Sequence, residues 1–553
     1  MKKLTKSLIA SKQKRNAYSR QSNQTAHKPP QWLETAVFYQ IYPQSFCDTN
    51  GDGIGDIPGI ISKLDYIKSL GVNVLWLNPV FESPFGDAGY DVSDFYKVAP
   101  RYGTNRDLKK LFSEARRRGM RVCLDLVAGH TSIQHPWFQA SAQHEKNKYT
   151  NWYVWTDSVW GNRTLNPVCG YSERDGGYLP NFFYFQPALN YGYAKPDPAM
   201  PWQLPISHPD VQAVRAELKK IMKFWLEEGA AGFRVDMASS LVRGDDDGVE
   251  LQALWKCYRE WLDREYPEAI LIAEWGNPRS SINAGFDIDF MIHFGEPAYN
   301  ALVGTWGRKF EGSPVFFDRA GGGDIMRFLD NYLLNYSATV GRGYISLPTG
   351  NHDFPRHNRG RDKRELQAIY AMLFTLPGTP FIYYGDEIGM RYLENLTAKE
   401  GSYGSRTGAR TPMQWRRGRN AGFSTAAASK LYLPVDPSPC APTVEDQETD
   451  PSSLLNLTRK LLALRKQYPA LGNTGAFKPI FAEKNKYPFV YERSQGSERF
   501  WIAINPTDQD LKTKLPATKS VEAIHCTGAE LTTDSKKSVL SMGPVSFGIF
   551  RVE

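Results

Sequence analysis

No run of about 18 apolar residues, the length a helical membrane span needs, occurs anywhere in the chain. The six cysteines (47, 123, 169, 257, 440 and 526) are scattered, without a CxxC pair or dense spacing. That pattern argues against a disulfide framework and is expected of reduced thiols in a cytoplasmic protein. No Gly-rich phosphate loop follows the first strand-like run, which weighs against an open dinucleotide-binding sheet. Acidic residues are missing from residues 1–30, which hold Lys2, Lys3, Lys6, Lys12, Lys14, Arg15, Arg20 and Lys28. The net charge of +8 therefore sits in this segment, since 67 Lys and Arg less these eight leave 59 against 59 Asp and Glu. A neutral body is not expected to bind nucleic acid. Residues 1–34 read as a disordered basic tail, and its longest apolar run, "SLIA", makes no convincing signal peptide.

What is present is aromatic and alternating. The 553 residues include 29 Tyr, 29 Phe and 14 Trp, rings that suit sugar faces but also fill ordinary cores. Strand-like runs at 36–43, 72–80, 121–130, 232–236, 269–275, 286–293, 344–348 and 380–387 alternate with amphipathic stretches such as 107–119, 210–229 and 251–266. Eight such strands predict a closed (β/α)8 barrel over 35–130 and 206–470. The stretch 131–205, rich in Trp, Tyr, Pro and Gly, is too long for a structureless loop and reads as a domain inserted after the third strand. A helix over 452–468 ends the barrel, and the short alternating runs of 471–553 predict a C-terminal antiparallel β-sandwich.

Polar residues gather at the carboxyl ends of these strands, where parallel barrels carry their chemistry. Asp125 and His130 end the third, Arg234 and Asp236 the fourth and Glu274 the fifth, while His352 and Asp353 follow the seventh. Neighbouring strands lie roughly 4.8 Å apart, so carboxylates ending the fourth and fifth can approach to about 5 Å, the separation of a retaining glycosidase. Arg234 is expected to keep Asp236 ionised, and burial beside Trp275 to hold the Glu274 proton. Any one of these groups alone would read equally well as a structural ion pair.

At these residues the sequence resembles the α-amylase family of glycoside hydrolases over about 35–553, in its oligo-1,6-glucosidase and α-glucosidase branch. "DLVAGH", "GFRVD", "LIAEW" and "NHD" are similar to the family's four short regions, in order. The resemblance implies Asp236 as nucleophile, Glu274 as acid/base and Asp353 as the carboxylate that grips ring hydroxyls. It implies that His130 and His352 bind hydroxyls and that Arg234 orients Asp236. "DAGYDVSDFY" offers Tyr90 as a stacking face and Asp91, and "TGARTPMQW" offers Arg410. In exo-acting relatives a matching Asp and Arg clamp the terminal glucose, and a rim salt bridge is the plainer alternative. The expected activity is a retaining, exo-acting α-glucosidase on disaccharides and short oligosaccharides. The alternative is a transglycosylase or isomerase on the same scaffold, forming trehalose, isomaltulose or a glucoside.

Departures from the family pattern carry expectations too. Gly129 and Ala188 stand where many amylases hold calcium ligands, so that site is expected to be absent. "DTNGDGIGD" places Asp48, Asn50, Asp52, the Ile54 carbonyl and Asp56 as in the first part of a calcium loop, with Gly59 instead of the closing Glu. A structural Ca²⁺ or Mg²⁺ is expected there, with a Gly-rich turn as the alternative. Met237 matches neither the Val of α-1,6 nor the Ala of α-1,4 enzymes, which leaves linkage open.

Overall fold

The computed structural model describes residues 27–158, 160, 165–170, 172–292, 294–295, 298–402 and 406–553. Its centre is an eight-stranded parallel sheet: β1 Phe38–Ile41, β2 Val74–Leu77, β3 Arg121–Leu126, β4 Gly232–Val235, β5 Ile270–Ala273, β6 Ile288–Phe290, β7 Tyr344–Ser346 and β8 Phe381–Tyr383. Successive strands pair from β1 to β7, and β8 returns to pair with β1. Between β7 and β8 the Thr349 N–H donates to the Phe381 carbonyl at 3.0 Å, and the Tyr383 N–H donates to Thr349 Oγ1 at 3.1 Å. Those two bonds stitch the last seam. Every residue of β1, β2, β4 and β5 is buried, which is why these runs read as continuous apolar stretches rather than alternating ones.

The helices begin and end on local signals. Helix α1 (Asn105–Arg117) starts on a capping box in which the Thr104 hydroxyl and the Asp107 carboxylate each accept the other's backbone N–H. Helix α2 (Pro209–Glu228) has Pro at its first position and stops at Gly229, whose φ of 120° no branched residue adopts easily. Helices α3 (Val249–Glu265), α4 (Met326–Thr339), α5 (Lys363–Leu373) and α6 (Leu454–Gln467) complete the main outer layer.

Three features add detail to the sequence reading. The C-terminal strands β9 (Ala476–Phe481), β10 (Phe489–Gln495), β11 (Glu498–Asn505), β12 (Leu511–Leu515), β13 (Val521–Thr533) and β14 (Ser538–Val552) form one curled sheet. Strand β14 pairs with β12 through its first half, with β11 through its second, and with β13 along the other edge. Alternate residues of β11 then serve two cores. Phe500, Ile502 and Ile504 join the barrel's cluster, while Trp501 and Ala503 join a separate one with Leu540 and Phe550.

The inserted stretch holds isolated antiparallel bridges, such as Trp155 with Tyr178, packed around stacked Phe138 and Trp155 rings. The chain is also anchored before residue 34. The His27 imidazole bonds Asp263 at 3.0 Å and buried Asp287 at 2.8 Å, and Leu33 is fully buried. Residues 1–26 of the basic tail lie outside the described residues. No helix of the described residues is long and apolar enough to cross a membrane, and all six cysteines are unpaired.

Candidate active site

Strand register sets two carboxylates side by side. Val235 on β4 pairs with Ala273 on β5, so the next residues, Asp236 and Glu274, leave adjacent strands at the same height. The register of β4 starts at Gly232, where φ is 150° and an added Cβ would meet the Ile270 carbonyl oxygen at 2.3 Å. Only glycine fits there.

Arg234 joins the two carboxylates. Its Nη1 lies 3.1 Å from Asp236 Oδ1 and 2.8 Å from Asp125 Oδ1, and its Nη2 lies 2.6 Å from Glu274 Oε1. Spanned by one planar guanidinium, the bonded Asp236 and Glu274 oxygens lie within roughly 8 Å of each other. The other Glu274 oxygen accepts the Met237 N–H at 2.8 Å. Met237 achieves this with φ at 43°, the left-handed region that costs a long side chain about 1 kcal/mol or more. Asp236 is held through Oδ1 by Arg234.

One cation among three buried carboxylates cannot hold all of them ionised. Burial pushes Asp236 up to about 7 against the pull of Arg234, with Asp125, Asp87 and Asp353 adding repulsion. Burial likewise pushes Glu274 up to about 8, Arg234 again opposing. Burial thus opposes the charge that Arg234 favours on Asp236. The two carboxyls therefore titrate as a pair in two steps, both raised by burial. The predicted consequence is a bell-shaped kcat/KM profile with its optimum between about 7 and 8. Activity falls below the lower value as the pair takes up its second proton, and above the upper one as it loses its last. Both limbs belong to the pair as a unit. An optimum at pH 5 in initial-rate measurements would contradict it.

Asp353 is the opposite case. The permanent charges of Arg406 and Arg410 hold its carboxylate far below the usual range although it is buried, and His352, itself kept neutral by burial, lies beside it. Arg406 Nε and Arg410 Nη2 both reach its Oδ1, at 3.2 and 3.3 Å. A chain of hydrogen bonds runs behind it. Gln40 donates to His352 Nδ1 at 3.0 Å, His352 Nε2 donates to the Tyr90 hydroxyl at 2.8 Å, and Tyr90 donates to Asp125 at 2.9 Å. The rings of Tyr90 and His352 stack 5.4 Å apart.

These groups enclose a cavity of about 340 Å³, at the small end of ligand pockets, roughly 300–1,000 Å³. Tyr90, His130, Asp236, Glu274, His352 and Asp353 line it, as do Asp87, Met237, Phe182, Phe294 and Arg406. Arg234 lies behind this lining, as do two residues expected at the sugar clamp. The Asp91 carboxylate accepts the N–H groups of Gly86 and Asp87 and the Ser83 hydroxyl, so it folds its own loop. The structure puts Asp87 at the cavity instead, its Oδ2 accepting from Gln186 at 2.9 Å. Arg410 is 1% exposed and donates to the His352 carbonyl at 2.7 Å, so Arg406 is the cation that faces the cavity. His130 lines the cavity with both ring nitrogens engaged. Nε2 donates to the Tyr90 carbonyl at 3.1 Å and Nδ1 accepts from Asn181 at 3.2 Å. Gly129 leaves room for that Asn181, whose Nδ2 would lie 2.6 Å from a Cβ at 129.

The expected metal loop is closed by its own hydrogen bonds. Asp48 accepts from the Gly51 and Gly53 N–H groups, Asn50 from Asp52, Asp52 from Ile54, and Asp56 from Thr49 and Gly59. Asp56 also caps the helix that follows. Among the described residues no group of three or more His, Cys, Asp and Glu side chains converges enough to hold a metal. Asp48, Asn50, Asp52 and Asp56 thus form the Asx turns of the alternative reading, with the Ile54 N–H held by Asp52.

Comparison with known proteins agrees with this geometry. The model of the family described as "Alpha amylase, catalytic domain" matches residues 40–474. The chain is 34% identical over 500 residues to trehalose synthase/amylase TreS of Mycolicibacterium smegmatis, covering 81% of this chain and 78% of that one. It is 31% identical over 543 residues to the oligo-1,6-glucosidase of Parageobacillus thermoglucosidasius, covering 88% and 92%. Among solved structures it is similar to the trehalulose synthase MutB of Pseudomonas mesoacidophila MX-45, with a TM-score of 0.77 and 27% identity over 95% of this chain and all of that one. MutB variants have been crystallised with the substrate sucrose and with isomaltulose. On the matched catalytic domain and these relatives, the chain belongs to the alpha-amylase family.

Proposed function

We propose that this protein is a retaining enzyme of short α-glucosides, and that it isomerises or transfers the glucosyl group, with hydrolysis as the competing outcome. The observation that carries the chemistry is Arg234 bridging Asp236 and Glu274, which holds nucleophile and acid on one planar group. Asp236 Oδ2 attacks the anomeric carbon as its bond to the glycosidic oxygen breaks, and the Glu274 proton goes to that oxygen. Glu274, now ionised, takes a proton from the incoming hydroxyl, which displaces Asp236 and restores the starting configuration. Asp353, Asp87 and His352 are the proposed partners of the glucosyl hydroxyls, and Tyr90 its stacking face.

Preference for transfer rests on the company the chain keeps. Relatives named trehalose synthase recur in several bacteria, and the similar solved structures include a trehalulose synthase. Hydrolysis of short oligosaccharides is the second reading, favoured by the oligo-1,6-glucosidases that match 88% of the chain. The cavity volume favours a terminal glucose over an internal stretch of polymer. Chromatography of products from maltose, isomaltose, trehalose and sucrose decides between them. A new disaccharide at constant hexose balance supports transfer, and monosaccharides alone support hydrolysis. Internal shortening of starch before any small product would refute both.

A Ca²⁺ or Mg²⁺ ion at residues 48–56 belongs to the proposal only as a structural element. If it binds, EDTA dialysis lowers the melting temperature and either ion restores it. An unchanged melting temperature removes the metal from the account.

A further inference from the structure

We infer that Asp289 is a positioning residue for the proposed acid: it gathers the backbone of the turn after Glu274 onto one carboxylate and so aims the Glu274 side chain at the glycosidic oxygen. This deepens the proposed function and rests on Glu274 being its acid.

Asp289 sits in the middle of β6, in register with Ala273, the last residue of β5. The chain leaves β5 there, and three consecutive N–H groups of the turn converge on the one carboxylate. Trp275 and Gly276 both donate to Oδ1 at 3.2 Å, and Asn277 donates to Oδ2 at 3.0 Å. The Ser281 hydroxyl, from the short helix Pro278–Asn283, reaches Oδ2 at 2.8 Å, and the Phe290 N–H reaches Oδ1 at 2.8 Å. Successive N–H groups gathered in this way make a concave anion site. Here the anion is part of the chain.

The turn depends on that acceptor. Gly276 takes it through a φ of 69°, and its N–H groups face neither a strand nor a helix partner. Glu274 itself is tied to the other side. Its N–H donates to the Val235 carbonyl at 3.1 Å, and its carbonyl accepts from the Ala238 N–H at 3.2 Å. The acid is thus held between β4 and Asp289, and Arg234 and the Met237 N–H meet its carboxyl where that backbone puts it.

Asp289 is fully buried and is not one of the described residues lining the cavity, so its effect on the reaction passes through Glu274. Burial raises its carboxyl to about 7 against the donors around it, so an apolar residue would fill the place at less cost. What the carboxylate supplies is the turn. A group that only stabilised the fold would, when removed, weaken activity on every donor alike. A group that aims the acid matters where the leaving oxygen needs a proton.

The test measures kcat/KM on maltose and on a nitrophenyl α-glucoside for Asp289→Ala, Asp289→Asn and Ser281→Ala, beside wild type and Glu274→Gln. In Asp289→Ala the value on maltose falls about a hundredfold and that on the nitrophenyl glucoside less than about fivefold, because only the first leaving group needs the acid. Glucose as competitive inhibitor binds all variants within about threefold of wild type, since no sugar-binding group has changed. Asp289→Asn keeps one oxygen for Trp275 and Gly276, and its two losses differ by roughly three- to tenfold in the same direction. Ser281→Ala removes a donor outside the turn, so its melting temperature falls while its two substrates keep their wild-type ratio. If circular dichroism shows that Asp289→Ala does not fold, Asp289→Asn decides. Glu274→Gln without a dependence on leaving group refutes the proposed function and takes the inference with it. Where Glu274→Gln shows that dependence, equal losses on the two substrates in the Asp289 variants, or the same selective loss in Ser281→Ala, overturn the inference alone.

Discussion

Asp236→Asn lowers kcat/KM on every α-glucoside by at least roughly 10⁴-fold, whatever the leaving group. Asparagine is isosteric and can still accept from Arg234, so positioning survives, but an amide oxygen does not form a glycosyl ester that turns over. The loss therefore falls on kcat and extends to activated nitrophenyl and fluoride donors, which need little help from an acid. Stability should move the other way. The carboxyl is held at about 7 in the folded protein against an ordinary value of 3.8. The folded state then keeps a proton that the unfolded chain releases, so this group's contribution declines as pH rises from about 4 to 7. At pH 8 the wild type bears a buried charge that the amide lacks, and Asp236→Asn melts at the same temperature or higher. Residual activity within tenfold of wild type in pre-steady-state measurements on purified variant would remove Asp236 from its role.

The same balance of burial against charge determines which parts of the molecule the sequence could reveal. The barrel was legible because its strands are buried on both faces and its helices carry amphipathic patterns with capping residues such as Thr104 and Asp362. Asp236 and Glu274 were legible because a charge is costly at the end of an apolar strand unless it is paired or used, and register fixes its height. Loops obey no such rule. "DAGYD" contains two aspartates, and the period of a strand does not say which faces inward. The turn passes through positive φ at Phe85, Ala88 and Gly89, which sends Asp87 into the cavity and Asp91 back onto its own backbone. Arg406 and Arg410 pose the same problem four residues apart, and burial decides it. The sharing of Arg234 among Asp125, Asp236 and Glu274 was not legible, because it is a fact of three strands together.

Glu274→Gln separates the two half-reactions. On maltose or trehalose, whose leaving hydroxyls need protonation, the rate falls by roughly 10³–10⁴-fold, near the upper range of general acid catalysis. On a nitrophenyl α-glucoside the bond breaks with little assistance, so Asp236 is glycosylated quickly and then waits, because no base activates the acceptor. The nitrophenol appears as a burst followed by a slow phase. Azide, which attacks without giving up a proton, accelerates the slow phase and yields an α-glucosyl azide. The structure adds a stability cost that distinguishes this variant from Asp236→Asn. Both Glu274 oxygens accept, from Arg234 at 2.6 Å and from the Met237 N–H at 2.8 Å. Glutamine offers one oxygen and one NH₂, so one buried donor loses its partner at a cost of about 1–3 kcal/mol. Its melting temperature drops, and Glu274→Ala shows the same azide response without a donor placed against Arg234. Equal losses on maltose and the nitrophenyl glucoside, with no azide effect in either variant, would place the acid elsewhere. The strained backbone of Met237 would then serve no catalytic purpose, because what it achieves is to carry its N–H to Glu274.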